Sequence, residues 1–308
     1  MNTSSTMVAS KLTANPAAIP EKSLILLTGA SGYIGGRLMP SLENQGYRVR
    51  CVARRPEILK RKAGPSTEVV AGDVLDRPSL DSALRGVDVA YYLVHSMSST
   101  GSFEETDRQA ARNFSEAAKA AGVKGLIYLG GLGSDEEELS AHLRSRHEVG
   151  DILRQSGLPL CEFRAAAVIG SGSASFELVR ALVERLPVMF TPRWCKGKTQ
   201  PIAIDDLLDY LVEALRIPIS EYHMYEVGGA DQVSYADMMR AYGRQRGLKP
   251  LIIPVPVLTP WLSALWLGLI TPLYARIGRA IIESIVHVTV VRGQCRAHNL
   301  PCTSGGNR

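Results

Sequence analysis

The residues best placed for chemistry lie near the start of the chain. In Thr28-Gly29-Ala30-Ser31-Gly32-Tyr33-Ile34-Gly35, glycine recurs at three-residue spacing. A bound phosphate needs backbone N–H groups aimed at it and no side chain in the way. Gly29 permits a tight turn, Gly32 lets a pyrophosphate approach the backbone, and Gly35 lets the following helix lie close to its strand. Thr28, Gly29, Ser31, Gly32, Tyr33, Ile34 and Gly35 are therefore expected to contact a dinucleotide. Leu24 to Leu27 before them read as a buried strand, and Ile34, Leu38 and Leu42 after them mark one apolar helix face. The free N–H groups and positive dipole end of that helix would face the phosphate. Gly46 should end the helix and Pro40 should kink it, with Gly36 leaving room for the proline ring.

A second chemical signal closes the next strand, Tyr47 to Ala53. An acidic residue at this point would accept hydrogen bonds from the ribose 2′-OH of NAD. Here stand Arg54 and Arg55, whose guanidinium forks suit a 2′-phosphate. The pair favours NADP(H) over NAD(H). Glu68 to Val74 read as a third strand and its exit, ending in Asp73 and Val74. Val87 to Val94 are nearly all apolar, as in a central strand buried on both faces. Ligands of open α/β sheets bind beyond the carboxyl ends of the strands, so Leu93, Val94 and His95 should line the cofactor cleft. His95 can touch ribose or substrate there, or make a structural hydrogen bond.

The spacing Thr28-Gly29-x-x-Gly32-x-x-Gly35 resembles the extended and atypical short-chain dehydrogenase/reductase superfamily. The resemblance continues through Val52-Ala53-Arg54-Arg55-Pro56, Gly72-Asp73-Val74, Tyr91 to Ser96, Ile127 to Leu132 and Gln200 to Leu207. It covers about Ser23 to about Arg292 and is similar to NmrA-like proteins and to the nicotinamide-binding accessory subunit of respiratory complex I. It implies an α/β fold, a Rossmann-like doubly wound parallel sheet with a small C-terminal helical lobe. It also implies that Asp73 hydrogen-bonds the adenine amine while Val74 packs on the ring.

Active reductases of that superfamily carry a Ser just after the fifth strand, expected here at Gly125 to Leu129, and a Tyr-x-x-x-Lys on the next helix. This chain departs from both. Gly130-Gly131 replace the Ser, and His142-Leu143-Arg144-Ser145-Arg146 replace the Tyr-x-x-x-Lys. The four-residue spacing keeps His142 and Arg146 on one helix face. His142 can act as a general acid or base, since imidazole titrates near pH 6.5. Arg146 can hold a ribose hydroxyl but does not deprotonate. The alternative is an exposed charge ladder of Glu138, His142 and Arg146 on a helix that keeps its shape without chemistry.

With 45% hydrophobic and 21% charged residues, the 308-residue chain can bury a sizeable core. Its net charge of +5 is dispersed, without the basic run that nucleic-acid binding would call for. Cys51, Cys161, Cys195, Cys295 and Cys302 form no C-x-x-C pair and no metal-ligand spacing, so no metal site is expected. Their scatter suggests reduced thiols in a cytoplasmic compartment. Residues 1–22 read as a disordered tail, 23–170 as the nucleotide-binding domain, 171–292 as a substrate lobe interleaved with it, and 293–308 as an irregular tail. Phe103 to Ala121 reads as one long helix, and Pro159 to Ile169 as one strand. The small residues Gly170 to Ser175 before Phe176-Glu177 make a second candidate anion nest. Asp205-Asp206 read as cap and first-turn charge, and Ser234 with Asp237 as a capping box. Pro250 to Ala275 carry no charge, but prolines leave at most Trp261 to Thr271 unbroken. As a helix that piece rises only about 16 Å against a hydrocarbon core of about 30 Å. It is expected to form a buried lid, with peripheral membrane contact as the alternative and no transmembrane span. Together these features favour an NADP(H)-dependent oxidoreductase of a small hydrophobic substrate over a non-catalytic NADP(H)-binding sensor or assembly subunit.

Overall fold

A computed structural model describes residues 19–20, 22–95, 103–133, 139–192, 197–217, 219–255 and 288–292. Most of the two expected tails, Glu138, and residues 256–275 of the expected lid lie outside the described residues. One end of the N-terminal tail is tied down: the Ile19 N–H donates to the Leu215 carbonyl at 2.9 Å, and its side chain packs on the core.

The first half alternates strand and helix. It runs β1 (Leu24–Leu27), α1 (Gly35–Asn44), β2 (Arg48–Ala53), α2 (Pro56–Lys60), β3 (Thr67–Ala71), α3 (Arg77–Ala83), β4 (Val89–Tyr92), α4 (Phe103–Ala120), β5 (Gly125–Gly131), α5 (Ala141–Gln155) and β6 (Leu160–Ala165). The second half is more broken. It contains β7 (Val168–Ile169), α6 (Ala174–Arg185), β8 (Val188–Pro192), β9 (Lys198–Thr199), β10 (Ile202–Ala203) and α7 (Ile204–Glu213). Next come β11 (Tyr222–Val227), β12 (Val233–Ser234), α8 (Tyr235–Gln245) and β13 (Leu251–Val255).

Seven parallel strands form the central sheet in the order β11-β6-β5-β4-β1-β2-β3. Strand order reverses between β1 and β4, which opens a crevice at their carboxyl ends. Period-two alternation divides the sheet into two apolar faces. Ile25, Leu27, Cys51, Tyr91 and Phe163 pack with α1 and α7 on one side. Leu26, Ala90, Tyr92, Leu126 and Tyr128 pack with α3, α4 and α5 on the other. Two buried tyrosines satisfy their hydroxyls on helix carbonyls: Tyr91 donates to Leu211 and Tyr128 to Arg146, each at 2.7 Å. Helix α1 runs unbroken through Pro40.

A smaller lobe is built by α6, α8 and the parallel pair β8–β13 around Leu178, Leu182, Met189, Tyr235 and Met239. Strands β9, β10 and β12 were not legible in the sequence because each holds only two residues, too few to show periodicity. For the same reason the single strand expected over 159–169 is two, β6 and β7, with Ala166 and Ala167 between them. The Ser234–Asp237 capping box is present at the start of α8. At α7 the N-cap is Ala203, so Asp205 and Asp206 serve only as first-turn charge. Among the described residues, no helix is long and apolar enough to cross a membrane.

Candidate cofactor and active site

The glycine loop is shaped by close approach. Gly29 has φ +71°, and a Cβ there would lie 2.5 Å from the Leu93 carbonyl oxygen. A Cβ on Gly35 would overlap the Gly29 carbonyl, so only glycine lets α1 begin against its own strand. At Gly32 the nearest atom to such a Cβ is the Gly29 carbonyl oxygen, 3.1 Å away, and Gly32 faces open space. Two clefts meet at this residue. One, of about 700 Å³, is lined by Ser31, Arg37, Arg54, Arg55 and Lys62 among others. The other, of about 480 Å³, holds Tyr33, Ile34, Leu93, His95, His142 and Arg146. A cationic chamber and a largely apolar one thus share a bare backbone. This arrangement fits a dinucleotide lying across Gly32, with its pyrophosphate at the start of α1.

In the cationic chamber, Arg54 and Arg55 end β2 in exposed positions. Sequence reasoning missed Arg37 and Lys62, which α1 and the turn after α2 bring to the same chamber. The Arg37 guanidinium lies 4.1 Å over the Tyr33 ring and donates to the Ser171 carbonyl at 2.7 Å. It thereby ties the glycine loop to the loop before α6. The Tyr33 hydroxyl is buried there, beside Ser173 at the start of α6.

Four expected contacts do not line either cleft. Thr28 is buried, its hydroxyl donating to the Tyr91 carbonyl at 2.9 Å and accepting from the Leu93 N–H at 3.1 Å. It fastens β1 to β4. Val94 packs into the core on the α4 side. Asp73 accepts the Leu75 N–H at 3.0 Å, an Asx turn, while Val74 packs on the same core. The second anion nest is filled by its own chain: the Gly172 N–H donates to Glu177 at 2.9 Å, and Glu177 also pairs with Arg180.

The apolar chamber gathers the acid–base groups. Ser140 caps α5, and the first turns of that helix present His142 and Arg146. His142 and Arg146 do not form an exposed ladder. The Arg146 guanidinium donates to the Leu129 carbonyl and lies 5.2 Å from the Tyr128 ring centre. Strand β5 continues through Gly130 and Gly131, and a Cβ at Gly131 would lie 2.8 Å from a Leu143 methyl. A side chain at that position would therefore require the Leu143 methyl to shift. His142 Nδ1 lies 2.9 Å from His95 Nε2, and His95 Nδ1 lies 3.1 Å from an Asp107 oxygen. Burial, followed by the nearby His95 and Arg146, lowers the His142 pKa to about 3. Burial likewise lowers that of His95, against the pull of Asp107. Near neutral pH His142 is an uncharged imidazole. Asp107 was not foreseen from the sequence. Its one signal was a lone carboxylate on the same stripe of α4 as Ala110, Ala111 and Phe114.

Comparison with known proteins agrees with this geometry. Residues 29–169 match the NAD(P)H-binding family. The chain is 27% identical over 242 residues to ceramide reductase of Caulobacter vibrioides, spanning 78% of this chain and 75% of that protein. It is 34% identical over 172 residues to (4-alkanoyl-5-oxo-2,5-dihydrofuran-3-yl)methyl phosphate reductase of Streptomyces griseus, spanning 54% of this chain and 57% of that protein. In fold it is similar to Citrobacter triphenylmethane reductase complexed with NADP(H), with a TM-score of 0.70 at 20% identity over 87% of this chain and 92% of that one. Residues 29–169 thus carry an NAD(P)H-binding domain, and the chain is similar to proteins of the short-chain dehydrogenase/reductase type. The likeness fits the atypical, NmrA-like branch of that superfamily.

Proposed function

We propose that the chain is an NADP(H)-dependent oxidoreductase acting on a small hydrophobic carbonyl or enone, with His142 transferring the proton. The observation that carries this is the meeting of the two clefts at Gly32, with cations at one end and His142 at the other. NADPH supplies a hydride when bound. The chain's own residues do the rest. Ser31, Gly32, Tyr33, Ile34 and Gly35 hold the pyrophosphate, and Arg54 and Arg55, helped by Arg37 and Lys62, hold the 2′-phosphate. Leu93, Leu129, Leu132, Leu143 and Val168 enclose an apolar substrate body and exclude water. A chamber of about 480 Å³ suits a small ligand. His142 exchanges a proton with the substrate oxygen. Arg146, engaged on the Leu129 carbonyl, keeps a positive charge beside a developing alkoxide and a ribose hydroxyl. Two relatives named as reductases support the reaction class. The buried free thiols Cys51 and Cys161 are in keeping with a reducing, cytoplasmic setting.

Stopped-flow absorbance tests the proposal, following NADPH oxidation by the purified chain against a panel of small hydrophobic aldehydes, ketones and cyclic enones. Oxidation with at least one member is expected, faster than in buffer. If no member consumes NADPH while the nucleotide still binds, the non-catalytic alternative takes its place.

Cofactor choice has its own test. Arg54→Ala with Arg55→Ala should weaken NADPH binding by about one to two orders of magnitude, because charge-assisted bonds at an exposed site are lost. NADH binding should stay nearly constant. Titration calorimetry with both nucleotides reads this directly, and equal losses for the two would remove the arginines from the 2′-phosphate site.

A further inference from the structure

We propose that Asp107, His95 and His142 form a proton relay in which Asp107 sets the tautomers of both imidazoles. It thereby decides whether His142 Nε2 offers the cleft a lone pair or a proton. The inference rests on the reading of His142 as the proton-transfer group and adds two positioning residues to it.

The geometry leaves little freedom. Asp107 is buried on α4, and an ionised carboxylate only accepts hydrogen bonds. One of its oxygens accepts from Ser145 Oγ and from His95 Nδ1, both at 3.1 Å. With its proton on Nδ1, a neutral His95 has only a lone pair on Nε2. The 2.9 Å contact to His142 Nδ1 then requires His142 to donate, so His142 also carries its proton on Nδ1. Its Nε2 is left as an acceptor in a ring that lines the cleft. A free histidine in water prefers the opposite tautomer, so both rings are held in their minor form by one carboxylate two steps away. The rings meet edge to face, with centroids 4.6 Å apart.

One extra proton reverses the relay. His95 becomes an imidazolium paired with Asp107, and its Nε2–H now donates to His142 Nδ1. His142 must then carry its own proton on Nε2, facing the substrate. During reduction the substrate carbon gains a hydride from NADPH while its oxygen takes the His142 Nε2 proton. His142 Nδ1 takes the His95 Nε2 proton, and His95 keeps its Nδ1–H on Asp107. Both rings end neutral, and one proton has moved to the product. The other charged groups around the relay are Arg146 on α5 and, at its edges, the Arg144–Glu104 and Arg108–Glu148 pairs. Arg146 opposes protonation of either ring, which leaves Asp107 to stabilise the charged state.

Nuclear magnetic resonance of the full chain with ¹⁵N-labelled histidine tests the relay without nucleotide or substrate. At pH 8 the wild type should show both His95 and His142 protonated on Nδ1. In Asp107→Ala the His95 proton should move to Nε2, and the Nδ1 and Nε2 resonances of His142 should exchange places. Asp107→Asn keeps an acceptor oxygen without the charge and should preserve both wild-type tautomers. His95→Phe should also return His142 to the Nε2–H form, and it tests the same link if Asp107→Ala does not fold. Wild-type His142 protonated on Nε2, or His142 resonances unmoved in a folded Asp107→Ala or His95→Phe chain, overturns the proposal. The relay is thus judged apart from nucleotide binding: expected tautomers in a chain that fails to bind NADPH would refute the proposed function and leave the relay standing.

Discussion

Turnover of the His142→Gln chain is expected to fall by about two to four orders of magnitude, the usual worth of general acid–base catalysis, with NADPH affinity nearly unchanged. Glutamine fills similar space and can still bond His95 Nε2, so the fold and the cleft should persist. It cannot carry the proton. Among the described residues, His95 shares the cleft but bonds the His142 ring, and His147 is buried on α5, bonded to the Gly131 carbonyl at 3.0 Å. Stopped-flow NADPH oxidation compares the variant with the wild type on the same substrate. Undiminished hydride transfer would take His142 out of the mechanism and leave His95 or water as the proton source.

Gly32→Val should abolish nucleotide binding, lowering NADPH affinity at least about a hundredfold, or some 2.8 kcal/mol, without unfolding the chain. The valine methyls would occupy the junction of the two clefts, while the backbone there has no positive φ and its single tight neighbour, the Gly29 carbonyl oxygen 3.1 Å from a Cβ, needs to give by only a few tenths of an ångström. The same substitution at Gly35 should behave differently. Its Cβ would overlap backbone atoms of Gly29 and Ala30, so the strand–helix junction itself must shift and thermal stability must drop. Calorimetric titration and thermal melts of the two variants separate the cases. A folded Gly32→Val chain with wild-type affinity would place the pyrophosphate elsewhere.

The sequence disclosed most where the chemistry is local. The glycine loop and the two arginines at the end of β2 lie within one turn or one strand end, where local sequence exposes them, and the His142–Arg146 pair was marked by its match to the position of the resembled family's Tyr-x-x-x-Lys. Contacts made by tertiary packing were hidden. Asp107 and His95 are joined to His142 only when α4 and α5 pack side by side. Arg37 and Lys62 reach the cationic chamber from separate elements. Thr28 looked like a ligand contact because it opens the motif, yet the same position ends a strand, where its hydroxyl links β1 to β4. The nest before α6 looked vacant because its occupant, Glu177, comes from the first turn of the helix it precedes. Gly130 and Gly131 stand where the resemblance expects a serine, and in the structure the Leu143 side chain lies against Gly131.

The most direct measurement is a paired calorimetric titration of the unmodified chain with NADPH and NADH in one buffer. Binding of NADPH about tenfold tighter or more, a difference of roughly 1.4 kcal/mol, is the result expected of Arg54 and Arg55 flanking a cleft that ends at His142. Equal affinities, tighter binding of NADH, or no binding of either nucleotide would contradict it.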